Sequence, residues 1–107
     1  MHKRGQLYWA ALEKRRPVLV VSADARNERA GDLIVVPCST RIREAPTHVL
    51  LAQGEGGVPQ DCVLKCEQIT TVKKYDIDPF PLGAPLRVTR MAEVERAVLR
   101  AIGIPIR

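Results

Sequence analysis

Histidine is scarce in this sequence: His2 and His48 are the only two among 107 residues. Metal-free cleavage of phosphate esters near neutral pH commonly employs two imidazoles, one as base and one as acid. His2 lies at the start of the chain and is expected to fray. His48 sits in a strand-like stretch, where a packed or hydrogen-bonded role is expected, so a paired-histidine mechanism finds little support. Cysteine is also sparse and odd in number. Cys38, Cys62 and Cys66 do not make a disulfide framework, and free thiols are expected. Cys62 and Cys66 stand one residue too far apart for Cys-x-x-Cys, and no second Cys/His pair completes four ligands, which argues against zinc. No paired His and carboxylate spacing suggests another metal, and no glycine-rich loop opens a helix as nucleotide phosphates require. No run approaches the roughly 18 consecutive apolar residues of a membrane span. The basic opening, Met1-His2-Lys3-Arg4-Gly5, leads into Gln6-Leu7-Tyr8-Trp9, too short and polar for a secretory leader, so a cytoplasmic location is expected.

Positive charge is abundant, and it is unevenly spread. Residues 1–43 hold nine Lys/Arg against four Asp/Glu, whereas 44–107 hold eight of each, so the whole excess of +5 lies in the first part. A localised basic surface suits a polyanion, because neutralised phosphates release condensed counterions. It also suits a merely solvated basic face. At this length a single domain over 1–107 is expected, since a second core would not fit.

Residues 6–11 and the β-branched run 17–21 read as two strands. The polar stretch 22–31 allows one turn of helix, with Ser22 as a possible cap and Gly31 as a stop. Residues 33–39 read as a buried strand whose far end is made irregular by Pro37. Another strand is expected over 47–52. Three glycines and a proline in 53–59 favour a turn or loop. Extended structure resumes over 62–72, with Cys62, Leu64 and Cys66 on one face by period two. The proline-dense segment 76–85 is expected to be irregular, with a short strand through 82–84. A terminal helix follows, with Thr89 as N-cap and Met91, Val94, Ala97, Val98, Ala101 and Ile102 at 3.6-residue spacing, stopped by Gly103 and Pro105. Its other face, bearing Arg90, Glu93, Arg96 and Arg100, is expected to be solvated. Five or six short strands and one helix give a mainly β, α+β domain: a small, curved antiparallel sheet with the helix packed on it.

One constellation has chemistry in it. Arg16 precedes Pro17 at the start of one strand, and Ser39-Thr40-Arg41 follows the end of another, so both groups can converge on one rim of the sheet. A guanidinium grips two phosphate oxygens and stabilises added negative charge, while a hydroxyl contributes a further donor. From the residues alone, a surface arginine and a Ser-Thr turn are the simpler reading.

Arg4-Gly5-Gln6-Leu7-Tyr8-Trp9 resembles the opening of MazF/PemK toxins, and Arg15-Arg16-Pro17-Val18-Leu19-Val20-Val21-Ser22-Ala23-Asp24 resembles their Arg-Pro core. Val35-Val36-Pro37-Cys38-Ser39-Thr40, Pro46-Thr47-His48-Val49 and Asp61-Cys62-Val63-Leu64-Lys65-Cys66-Glu67-Gln68-Ile69-Thr70-Thr71-Val72 are similar to later family motifs, in the same order. The resemblance covers essentially the whole chain. It implies an SH3-like barrel of the CcdB/PemK type with a C-terminal helix, and a sequence-selective endoribonuclease toxin of the mRNA interferase kind. Such an enzyme cleaves single-stranded RNA by 2′-hydroxyl attack, leaving 2′,3′-cyclic phosphate and 5′-hydroxyl ends.

The resemblance further implies a homodimer, a MazE-like antitoxin as partner, and no cofactor. Ile104 and Ile106 are possible contributors to the dimer. The family's catalytic arginine falls on Arg16 and its threonine on Ser39, with Thr40 one position later; alternation along a strand admits only one of these hydroxyls to the site. Arginine is too basic to act as a general base, and Glu13 is a candidate by proximity. Tyr8 or Trp9 can stack an unpaired base, though alternation sends only one outward. Lys14, Arg15, Asn27, Arg41 and Gln68 are further candidates for RNA contact. Two departures stand out: only Leu12-Glu13-Lys14-Arg15 separates Ala11 from Arg16, a shorter loop than in many relatives, and Thr70 stands where the family has arginine. A non-catalytic nucleic-acid-binding module, or a gyrase-directed poison on the same fold, is the alternative.

Overall fold

The computed structural model describes residues 1–106 and contains six strands and two α-helices. Strands β1 (Leu7–Ala11), β2 (Arg15–Val20) and β3 (Asp32–Ser39) form an antiparallel meander, with the one-turn helix α1 (Asp24–Asn27) between β2 and β3. Strands β4 (His48–Leu51), β5 (Cys62–Lys65) and β6 (Thr70–Lys73) follow, and helix α2 (Val88–Ala101) closes the chain.

Strand β3 belongs to two sheets. Its first half, Asp32 to Val35, pairs with β6, and its last residues, Cys38 and Ser39, pair with β5, which in turn pairs with β4. The change of partner brackets Pro37, which has no N–H with which to add a rung. The run 62–72 is therefore not one strand, as its alternation suggests. A 3-10 turn over Cys66–Gln68 breaks it so that β5 and β6 can follow the two halves of β3. The result is the curved, barrel-like α+β arrangement expected.

Both faces of the meander are covered, which is why 17–21 is continuously apolar. Leu7, Leu19, Val36, Leu51 and Leu64 form one core with Cys38, Cys62, Cys66 and the α2 residues Met91, Val94 and Ala97. Tyr8, Ala10, Val18, Val20, Leu33, Val35, Val72 and Ile77 form the second. The three thiols are free and buried.

Segment 77–86 makes no strand, contrary to the expectation for 82–84. It runs instead as a strap along the open edge of β1. Asp78, Leu82 and Leu86 donate their backbone N–H groups to the carbonyls of Trp9, Leu7 and Gly5 at 2.9, 2.8 and 2.9 Å. An otherwise exposed strand edge is thereby satisfied and blocked from pairing with another chain. The strap touches loop 53–59 at Gly57, whose φ is +90° and where an added Cβ would stand 2.4 Å from the Leu82 carbonyl atoms.

Helix α2 begins one residue before the expected Thr89 cap, at Val88 with Arg87 as N-cap. It ends as the sequence suggests: Gly103 has φ +81°, its N–H bonds to Arg100 O, and that of Ile104 to Leu99 O, which is a Schellman ending. Ile102 lies outside the buried stripe and is exposed. Nor is Arg90 merely solvated, because Glu55 accepts from its Nε and Nη2 at 2.8 and 2.9 Å and Glu93 from its Nη1 at 2.7 Å.

Asn27 corrects a site expectation. It is fully buried, accepts from Ser22 Oγ at 2.5 Å and donates to Ser22 O at 2.9 Å. Ser22 does not cap α1, since its hydroxyl also accepts from Ile34 N–H at 3.1 Å. Asn27 thus ties the β2–α1 connection to β3 and is not available to RNA. Asn27→Ala leaves these buried groups without partners and is expected to lower stability by about 1–3 kcal/mol, read as a lower urea midpoint at unchanged slope.

Candidate active site

The β1–β2 hairpin pairs Ala10 with Arg16 and Ala11 with Arg15 around a loop of Leu12, Glu13 and Lys14. The tight turn sets Lys14, Arg15 and Arg16 side by side at one rim. On the next strand, β2 pairs with β3 as far as Val18 and Pro37. Two residues further along the same register Arg16 comes opposite Ser39, where β3 ends. The convergence expected from sequence is present: Arg16, Ser39 and Thr40 line one cleft of about 250 Å³ together with Trp9, Lys14 and Arg15. Strand alternation does not separate the two hydroxyls, because β3 stops at Ser39 and Thr40 lies beyond it. Ser39 Oγ accepts from Arg41 N–H at 3.2 Å, whereas Thr40 is exposed.

Arg16 also lines a second groove on its other side, shared with Glu13, Lys65, Gln68 and Thr70. It is the one residue that lines both. Among the described residues its Nε is buried with no hydrogen-bond partner, and no ion pair involves it. Buried donors are ordinarily satisfied, so an arginine left unpaired between two clefts is chemically prepared for an anion.

Arg15 is differently placed. Its Nη1 and Nη2 donate to the Asp78 carboxylate at 3.2 and 2.5 Å, and its guanidinium carbon lies 5.3 Å from the centre of the Trp9 ring. Arg15 is therefore a cation stacked on Trp9 and braced from the strap. Trp9 is half-buried on the cleft side. Tyr8 is not a stacking candidate: it is fully buried, and its hydroxyl accepts from Lys3 N–H at 2.9 Å. Alternation did send one aromatic outward, and Trp9 is the one.

Gln68 is exposed in the second groove, beside Arg16 and Glu13. Arg41 is exposed beyond the end of β3 and lines neither cleft. Neither histidine reaches the site. His48 Nδ1 donates to Arg43 O at 2.9 Å and its Nε2 faces Glu67 at 3.0 Å. His2 is not frayed, since its Nε2 donates to Asp78 O at 2.9 Å. Among the described residues no group of three or more His, Cys, Asp and Glu side chains converges as a metal site would, and no helix is long and apolar enough to cross a membrane.

Sequence reasoning missed Asp78 and the cleft wall. Asp78 lies 63 residues from Arg15 in a proline-dense stretch with no motif. The wall comes from Val58, Pro59 and Gln60, in and just past a loop that reads only as a turn, and from Cys38 and Cys62, which read only as core.

A family model described as PemK-like, MazF-like toxin of type II toxin-antitoxin system matches residues 3–102. The sequence is 30% identical over 112 residues to endoribonuclease MazF6 of Mycobacterium tuberculosis strain ATCC 25618 / H37Rv, covering 94% of this chain and 96% of that protein. It is 32% identical over 71 residues to probable endoribonuclease MazF5 of the same strain, covering 64% of this chain and 65% of that protein's length. A solved endoribonuclease in complex with its cognate antitoxin, from a mycobacterial species, superposes with a TM-score of 0.86 at 28% identity over the full length of both chains.

The Arg15–Asp78 brace has a pH signature. Hydrogen bonds from Arg15 hold the Asp78 carboxyl below the usual aspartate range. Its contribution is therefore present above the unfolded value and is lost as pH falls through the lower folded one. Trp9 is the sole tryptophan, and its emission is expected to stay flat down to about pH 4, the ordinary aspartate value, and to change below it. Asp78→Asn is expected to change the emission already at neutral pH. A transition in the wild type beginning well above that value would mean that Arg15 is not held by Asp78.

Proposed function

Because the chain belongs to the family of PemK-like, MazF-like toxins of type II toxin-antitoxin systems, we propose that it is a sequence-selective endoribonuclease whose scissile phosphate binds at Arg16. The observation that carries this reading is the unpartnered Arg16 guanidinium on the divide between two clefts, with two hydroxyls beside it. A single strand laid across that divide places one nucleotide on each side and the phosphate between them.

In the proposed reaction the 2′-hydroxyl on the 5′ side gives up its proton and attacks phosphorus, and the O5′–P bond breaks, O5′ taking a proton from water, to leave a 2′,3′-cyclic phosphate and a 5′-hydroxyl. Arg16 donates to the non-bridging oxygens, where charge accumulates at the transition state. A hydroxyl, Ser39 by motif or Thr40 by exposure, donates to the phosphate beside it. Arginine does not take the 2′ proton at neutral pH. Glu13 shares the second groove with Arg16, and we assign it the role of base.

Lys14 and Arg15 extend the positive rim toward neighbouring phosphates, the half-buried Trp9 offers a ring face for an unpaired base, and Gln68 offers an amide in the second groove. Arg41, outside both clefts, is left to more distant phosphates. A MazE-like antitoxin with an acidic, partly disordered tail fits the same rim by charge and would exclude RNA while bound. A homodimer is proposed with the family, and Ile102 and Ile104 are apolar side chains left exposed near the C-terminus.

The test is incubation of the pure protein with long single-stranded RNA in the presence of chelator, with the new ends mapped. Discrete cuts bearing 2′,3′-cyclic phosphate are expected. Arg16→Ala is expected to slow them by about 10²–10³-fold, the usual effect of removing one oxyanion donor. Between Ser39→Ala and Thr40→Ala, the larger loss of rate identifies the working hydroxyl. Intact RNA with a folded, toxic protein would instead point to a protein target.

A further inference from the structure

Two thiols stand in the wall of the cleft that holds Ser39 and Thr40. The register pairs Cys38 with Leu64 and Ser39 with Val63. Cys62 is two residues from the partner of Cys38 and on the same face, and both belong to one core cluster. Cys38 and Cys62 are thus diagonal neighbours at the point where β3 ends and β5 begins. Both are free, and the cleft that they line gives a small molecule a path to them. Cys38 adjoins Ser39 in sequence, so anything that moves Cys38 moves the candidate hydroxyls.

We propose that Cys38 and Cys62 are a peroxide-sensitive pair that closes to a disulfide and switches off the adjoining site, an inference that rests on the ribonuclease reading for its effect on activity. Cys62 is the attacking thiol. The neighbouring Cys38 thiol holds Cys62 below the usual thiol range despite burial, whereas the Cys62 neighbour and burial push Cys38 well up. The Cys62 thiolate attacks one oxygen of hydrogen peroxide, the O–O bond breaks, and hydroxide leaves and takes up the proton Cys62 gave up, forming water. The resulting sulfenic acid is attacked by Cys38, forming the S–S bond and releasing a second water with the Cys38 proton. The two thiols lose two electrons in all, and one peroxide becomes two waters.

Geometry supplies the consequence. Diagonal neighbours in an antiparallel sheet have Cα atoms about 7–8 Å apart, whereas disulfides usually span about 4.4–6.8 Å. Closing the bond draws the ends of β3 and β5 together by roughly 1 Å, and a misplacement of that size at a catalytic group costs about 100-fold in rate. Cys66 is the internal control. It does not line the cleft, its thiol is pushed up to about 12 by burial and by Glu67, and it remains a protonated core residue.

The experiment treats the reduced full-length protein with stoichiometric peroxide, alkylates and digests it, and assays RNA cleavage in parallel. A Cys38–Cys62 linked peptide, alkylated Cys66, and a cleavage rate reduced by about 100-fold and restored by dithiothreitol are expected. The ratio of treated to untreated rate is expected to stay near unity in Cys62→Ser and to follow the wild type in Cys66→Ser. Recovery of Cys38 and Cys62 both alkylated would overturn the proposal, as would a linked protein that cleaves as fast as the dithiol form. Absence of cleavage by the reduced protein would sink the ribonuclease reading instead, and the linked peptide alone would then decide the thiol pair.

Discussion

The site depends on strand β3 serving two sheets with one edge. Up to Val35 that edge is occupied by β6, from Cys38 by β5, and Pro37 sits where the partner changes. A proline there costs no hydrogen bond, because the edge is already between partners. The other edge loses β2 as the sheet curls, and the ends of β2 and β3 splay into an opening. Pairing between β2 and β3 stops at Val18 and Pro37, so Arg16 and Ser39, two residues beyond, line a cleft instead of facing each other across a ladder.

Burial and charge then divide the labour along the same strands. The apolar residues of the meander are fully covered on two faces, which gives the rim a stiff support. Of the basic residues in the first part of the chain, Lys14, Arg15 and Arg16 stand at the hairpin, and the arginines have different fates. Arg15 is braced by Asp78, Arg26 is paired with Asp32, Arg4 with Glu95, and Arg16 has no acidic partner among the described residues. An excess of positive charge says little by itself. The uncompensated cation at the divide is what gives it direction.

Much of this was legible in the sequence, and the reasons for the rest are specific. Strands β1, β2 and β3 and the stripe of α2 follow from β-branched runs and helical spacing, and the convergence of Arg16 and Ser39 on one cleft follows from their places at strand ends. The division of 62–72 was not legible, since Cys62, Leu64 and Cys66 keep period two through the turn; the break is imposed by β3's change of partner. Asn27 read as a polar turn residue because its partners, Ser22 and the connection to β3, are fixed only by folding. Tyr8 and Trp9 were equivalent until register made one of them core. Asp78 could not be found at all, because its role consists of a contact with Arg15 made across the fold.

Gly57 sets a limit on how the cleft behaves. Its backbone lies against Leu82, leaving no room for a side chain, and the neighbouring Glu55 grips Arg90 of α2. The loop that leads into the cleft wall is thus clamped from two directions, by the strap and by the helix. The breadth of the cleft is an architectural dimension inherited from the core, so whatever enters it meets a gauge already cut.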